Sequence, residues 1–188
     1  MISAAQSERI DWEAALVQRA RNGDVRAFER LYREHIGRVY GVCLRLTREP
    51  AIAEDCAQEA FINAWRGLGR FETRSAFGTW LHRIAVNVAL ARRRRPQWAS
   101  QPAPSEEMQD EPAEMEWTLD TPVEVSEIEA AVGELPEGAR DVLVLCAIYG
   151  YSHGEAAGML GIAEGTCKAQ LHRARGLLRR KLDPETRA

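Results

Sequence analysis

The stretch from residue 96 to residue 124, PQWASQPAPSEEMQDEPAEMEWTLDTPVE, leaves this chain few ways to fold as one body. It holds five of the eight prolines (Pro96, Pro102, Pro104, Pro112 and Pro122), eight carboxylates and no Lys or Arg. Proline removes backbone donors and like charges repel, so the stretch reads as a flexible, extended acidic linker. The patterns on either side are helical, and each ends in a basic run: Arg92 to Arg95 before the linker, Arg173 to Lys181 after it. The expected plan is all-α, with two small helical domains at 25–95 and 125–182. An N-terminal extension (1–24), the linker (96–124) and a tail (183–188) complete it. A chain of 188 residues is long enough for two such domains with modest cores.

The formal charge of −3 argues against nucleic-acid binding only until it is divided. Without the linker's eight carboxylates the rest of the chain carries +5, and that excess is clustered. Local patches, not the net value, attract phosphate. Cys43, Cys56, Cys146 and Cys167 are widely spaced and form no CxxC, which reads as free thiols in a reducing cytoplasm. The N-terminus lacks the layout of a secretion signal and no apolar run nears membrane-spanning length, so a cytoplasmic protein is expected.

In chain order, residues 12–22 place Trp12, Ala15, Leu16 and Ala20 on one face of a short helix, and Asp24 suits the cap of the next. From Val25 to Thr47 the positions Phe28, Leu31, Tyr32, Val39, Val42, Cys43 and Leu46 recur at helical steps. The helix from Ala51 to about Leu68 turns Ala57, Ala60, Phe61, Ala64, Trp65 and Leu68 inward. Asp55, Gln58, Glu59 and Asn63 fall on another side. That polar face is either solvated or a dock for a basic partner. A carboxylate metal site is disfavoured, because no His follows a Glu by three residues. After a loop, Ser75 is the expected N-cap of a helix with Phe77, Trp80, Leu81, Ile84, Ala85 and Val88 inward, ending at the four arginines. Four adjacent arginines spread charge around a helix end and suit phosphate.

Beyond the linker, Val125–Glu134 reads as a short helix with Ile128, Ala131, Val132 and Leu135 inward. A helix started by Pro136 follows, carrying Val142, Leu143, Leu145, Cys146 and Tyr149. Ser152-His153-Gly154-Glu155 then spells a capping box, and a turn at Gly161–Gly165 leads to a second helix from Thr166 to Leu182. Two short helices joined by a glycine-containing turn, the second one basic, make a helix-turn-helix. On that second helix Cys167, Leu171, Ala174 and Leu178 face the core. Lys168, His172, Arg175 and Arg179 form an exposed strip, with Ala169, Arg173 and Arg180 beside it. The H-x-E at His153–Glu155 is shared with zinc deaminases, but no P-C-x-x-C follows it.

AEDCAQEAFINAW, then F-x-x-x-SAF-x-TWLHRIAVN, then LPEGARDVLVL, then YSHGEAAGMLGIAEGTCKAQLHRARGLLR together resemble the extracytoplasmic-function (ECF) sigma factors of bacterial RNA polymerase, within the sigma-70 superfamily. The resemblance covers residues 25–95 and 125–182. It implies a non-enzymatic, cofactor-free protein that binds core RNA polymerase through the β′ clamp and the β flap. Such a protein reads the −35 and −10 promoter elements and nucleates melting. It further implies an anti-sigma factor as partner and no direct insertion into a membrane.

Residue by residue, the resemblance puts Asp55, Gln58 and Glu59 on the polymerase-docking helix. Phe71, Arg74, Ser75, Ala76 and Phe77 match the part that captures an unstacked −10 base, and Asn87, Arg92 and Arg93 lie where −10 duplex and backbone contacts fall. Lys168, Ala169, His172 and Arg173 match the −35 reading positions, with Arg175 on phosphate. Departures from the family's pattern are Arg74, where relatives carry a small or acidic residue, the Ala169-Gln170 pair in place of Ser-Arg, and Ala91 with the arginine run.

Fully extended, the linker spans about 95 Å at roughly 3.3 Å per residue, more than two turns of DNA. The resemblance also makes this acidic segment a candidate RNA mimic in an electropositive polymerase channel. A dimeric helix-turn-helix regulator is the alternative reading. It accounts for 125–182 but leaves the first basic domain unexplained.

Overall fold

The computed structural model describes residues 4–72, 75–94 and 125–182; Arg74, Arg95, the linker and the tail lie outside the described residues. The chain divides into two compact units, Met1–Arg95 and Pro96–Ala188. Every regular element among the described residues is helical.

The first unit contains α1 (Ala4–Arg21), α2 (Val25–Thr47), α3 (Pro50–Gly67), a 3-10 turn (Leu68–Arg70) and α4 (Phe77–Arg94). Asp24 caps α2 as expected, its carboxylate accepting from the Ala27 amide at 3.1 Å while pairing with Arg19 at 2.7 Å. The Arg19 hydrogen bond, then that of the amide, holds the Asp24 carboxyl below its ordinary value. α2 ends on Arg48, which adopts a left-handed φ of 62° and returns its amide to Leu44 O. Pro50 then occupies the first turn of α3, where its missing donor costs nothing.

α2 is the central post, with α1, α3 and α4 all packed against it. Ala27, Leu31, Val39, Val42, Cys43 and Leu46 are buried along it. Each leucine taken fully out of water contributes about 1.5–3 kcal/mol. Several expectations change here. In α1, in the stretch expected as an N-terminal extension, Leu16, Val17 and Ala20 are buried while Trp12 is 40% exposed and Ala15 is exposed. The helix is rotated so that its aliphatic residues meet α2. In α3, Trp65 is 37% exposed, and its ring meets Phe28 edge-on at 4.8 Å. In α4, Trp80 and Ile84 are only half-buried, whereas His82, Val86, Ala89 and Leu90 are buried. Contact with both α2 and α3 draws more than one stripe of α4 inside. Ser75 is also not the cap: the Ala76 carbonyl accepts from the Thr79 and Trp80 amides, so α4 starts one residue later.

The second unit contains α5 (Val125–Gly133), α6 (Glu137–Leu143), a π turn (Val144–Ile148), α7 (His153–Leu160) and α8 (Glu164–Leu182). α8 packs on α5, α6 and α7. The capping box forms in full: Ser152 Oγ accepts from the Glu155 amide at 3.2 Å, and the Ser152 amide donates to Glu155 Oε2 at 3.1 Å. Gly161, at φ 71°, supplies the left-handed residue that ends α7. The sequence pattern did not reveal the π turn. There the Tyr149 amide reaches Val144 O at 3.1 Å and the Tyr151 amide reaches Leu145 O at 3.0 Å, which widens the helix just before Gly150. Arg140 and Asp141, adjacent and buried on α6, were also not anticipated as core residues.

Two expectations for stability follow from these local structures. Burial pushes the His82 imidazole down to about 4, with the charge of Arg38 adding to the effect. The unfolded chain therefore binds a proton that the folded chain refuses as pH falls from 6.5 towards 4, so this contribution is fully present above 6.5 and is lost across that window. The urea midpoint of the wild type should drop between about pH 7 and about pH 4.5, and His82→Gln should flatten part of that drop. An unchanged slope in the variant would place the acid sensitivity elsewhere. Ser152→Ala should cost about 1 kcal/mol by removing the cap of α7, read as a lower denaturation midpoint with an unchanged m-value.

Candidate nucleic-acid interface

α8 carries the stronger of two charged surfaces. Its buried seam is Cys167, Leu171, Ala174, Leu178 and Leu182, which includes every inward position expected from the spacing. Lys168, Ala169, His172, Arg173, Arg175, Arg179 and Arg180 are exposed on the remaining faces. The helix begins at Glu164, two residues before the expected start, because the Ala163 carbonyl already accepts from the Cys167 amide at 3.0 Å. The earlier start brings in one acid. Glu164 reaches Lys168 at 2.9 Å, and that contact holds its carboxyl below the usual range. Lys181 is tied to Glu134 of the loop after α5, which fixes the far end of α8.

Behind the strip, Cys146 Sγ and Cys167 Sγ are 4.0 Å apart, and burial drives the Cys146 thiol up to about 12. Cys43 is likewise pushed up to about 12 by burial. All four cysteines are free, and these two are held as thiols.

The second surface lies on α3, α4 and the residues between them. Asp55, Gln58 and Glu59 are exposed on α3 as expected. Asp55 also accepts from Arg92 of α4 at 3.3 Å, so the acidic face and the basic end of α4 meet. Arg93 is half-buried and donates to the Leu46 carbonyl at 3.1 Å, completing the C-terminal turn of α2. Asn87 is exposed.

Of the −10 residues expected between α3 and α4, only Ser75 and Ala76 are exposed among those described. Phe71 and Phe77 are 4% and 2% exposed. They meet edge-to-face at 6.0 Å, and Phe71 lies 4.8 Å from Trp80. Their rings therefore serve as a buried floor and offer no free face to a base. Glu13 and His35 also belong to this neighbourhood, His35 through its contact with Phe77 and Glu13 through its bond to His35, and a histidine and a glutamate in separate helices leave no joint periodic signal in the sequence.

Among the described residues no helix is long and apolar enough to cross a membrane, and no group of three or more His, Cys, Asp or Glu could hold a metal ion.

Both units match known families. The family described as Sigma-70 region 2 matches residues 31–99, and Sigma-70, region 4 matches residues 126–178. The chain is 36% identical over 180 residues to the RNA polymerase sigma-H factor of Pseudomonas aeruginosa, covering 90% of this chain and 93% of that one. It is 36% identical over 163 residues to the ECF RNA polymerase sigma factor SigM of Mycobacterium tuberculosis, covering 85% and 79% of the two chains. Among solved structures it is similar to CnrH in complex with the cytosolic domain of CnrY, with a TM-score of 0.56, 25% identity, and coverage of 92% and 97%. Two charged helical units that match regions 2 and 4 in that order, across nearly the whole length of such relatives, make this chain a member of the ECF group of the sigma-70 family.

Proposed function

We propose that this chain directs core RNA polymerase to promoters, reading a −35 element with the second unit and a −10 element with the first. The observation that carries the reading is the order of the two regions together with the exposed basic strip of α8, whose opposite face is fully committed to the core. In a helix-turn-helix the second helix enters the major groove, its N-terminal residues meet base edges, and later basic residues meet phosphate. Lys168, Ala169, His172 and Arg173 therefore read bases, and Arg175 holds the backbone. The Glu164–Lys168 pair is exposed on both sides, so it is weak enough to be exchanged for a DNA contact.

In the first unit, Asp55, Gln58 and Glu59 dock on the polymerase β′ clamp, and the second unit engages the β flap. Arg92 and Asn87 contact the −10 duplex, while Ser75 and Ala76 receive an unstacked base above the floor of Phe71 and Phe77. Arg93 adds charge at the end of α4, though its bond to Leu46 gives it a structural task as well. Stacking and pocket contacts of about 1–3 kcal/mol per base are on the scale needed to hold one strand open. The chain supplies address and melting, and the polymerase supplies the bond chemistry. An anti-sigma factor is the further partner of this reading, as the ECF resemblance implies; the similar CnrH was itself solved in complex with the cytosolic domain of CnrY.

Reconstitution with core polymerase is the direct test: a stoichiometric complex and transcripts with defined 5′ ends are expected, whereas a dimeric regulator would give neither. Asp55→Arg together with Glu59→Arg should abolish polymerase binding while helicity by circular dichroism is kept. Survival of binding would move the dock elsewhere.

At the −35 element, Arg175→Ala should weaken binding at all promoters and reduce the salt slope by about one. Lys168→Ala and His172→Ala should instead change which bases are preferred. A uniform loss from those two would place them on phosphate.

A further inference from the structure

The buried rings of Phe71 and Phe77, which bracket Ser75 and Ala76 in the chain, are linked to α1 through His35. Glu13, half-buried on α1, accepts from His35 Nε2 at 2.7 Å, and both side chains are largely enclosed (17% and 9% exposed). The His35 ring lies 5.5 Å from Phe77, the first residue of α4, and Phe77 in turn meets Phe71 and Trp80. The next residue, Gly78, leaves no room to spare: a Cβ there would stand 2.9 Å from His35 Cε1 and 3.9 Å from Glu13 Oε1. Any larger side chain at 78 must displace the imidazole or the start of α4. Arg21, the last residue of α1, reaches the Gly69 carbonyl at 3.4 Å on the entering side of the same segment. α1 thus touches both the 3-10 turn and α4, the two elements that flank Ser75 and Ala76.

We propose that the Glu13–His35 pair is a positioning device for promoter opening, holding the first turn of α4 so that Ser75 and Ala76 receive the unstacked base. The inference rests on the reading of Ser75 and Ala76 given above. Neither Glu13 nor His35 touches DNA in this scheme. They act through Phe77 and Gly78, by fixing a surface before the base arrives. A preformed receiver spares the ordering cost at the moment of melting, which is where a duplex promoter is most demanding.

The test measures open-complex formation by polymerase reconstituted with the full chain, on a duplex promoter and on the same promoter pre-melted across −10. Glu13→Ala and Gly78→Ala should each slow opening of the duplex about tenfold, the scale of one lost hydrogen bond to a charged group. The loss on the pre-melted template should stay within about twofold, because the strand separation that preorganisation assists is already done. Core polymerase affinity should not change. Glu13→Gln keeps an acceptor for His35 and should restore duplex opening, which loss of a merely structural contact followed by unfolding would not explain. Ser75→Glu with Ala76→Glu, placing two carboxylates where the strand would pass, separates the two layers of the proposal. If that double variant opens the duplex normally, the assignment of Ser75 and Ala76 is wrong and the pair's role falls with it. If the double variant fails to open while Glu13→Ala and Gly78→Ala behave as wild type, only the role of the pair is overturned. Equal losses on both templates, or no rescue by Glu13→Gln, would also overturn it.

Discussion

In the N-terminal unit everything depends on α2, because α1, α3 and α4 each bury a face against it. A helix surrounded on several sides has little room for polar groups, and the one it does bury near its middle, His35, is provided with an acceptor from α1. The cost of leaving a buried polar group unsatisfied exceeds the net gain of an ordinary hydrogen bond, so such a pair fixes where α1 must lie. From that placement follows the position of the first turn of α4, and from the first turn the exposure of Ser75 and Ala76. The aromatic set Phe71, Phe77 and Trp80 transmits the placement through ring packing, with centroids 4.8–6.0 Å apart.

The second unit uses the same economy on a smaller scale. Committing Cys167, Leu171, Ala174 and Leu178 to the core leaves every basic residue from 168 to 180 on the open faces of α8. The capping box at Ser152 and the left-handed Gly161 fix the helix that precedes the turn, so the direction of α8 is set by backbone chemistry as well as by packing. Exposed charges in both units are engaged in pairs such as Arg92–Asp55 and Lys168–Glu164. Exposed pairs of this kind are weak and screened by salt, so a phosphate or a partner protein can replace them at little cost to the fold. The Arg92–Asp55 contact also joins the proposed polymerase-docking and −10 surfaces, so a change at Asp55 alters the environment of both.

Strong local grammar is legible in the residues themselves: the capping box, the bounds of α2, the four-three-four spacing of α8 and the exposure of Asp55, Gln58 and Glu59. The family resemblance, drawn from four motifs in order, is matched by the two sigma-70 regions. A single periodic stripe does not describe helices that are packed on several sides. Trp12 and Trp65 fall inward by period, yet each stands at a rim where α1 or α3 leaves the core. Phe71 and Phe77, placed by resemblance among the base-capturing residues, are buried, because aromatic rings bracketing a short turn gain more from one another than from water.

The sequence alone determined the helices, their caps and the separation of two charged units by an acidic, proline-rich stretch. These depend on spacings of three and four residues and on the backbone limits of proline and glycine, which act within a few positions of the chain. Only the tertiary structure decided that Glu13 meets His35 across 22 residues, that Arg93 finishes α2 from α4, and that a widened π turn precedes α7. Those outcomes turn on which face of one helix lands on another and on how the last buried polar groups find partners. No local pattern encodes such choices, because they are made between helices only when the core closes.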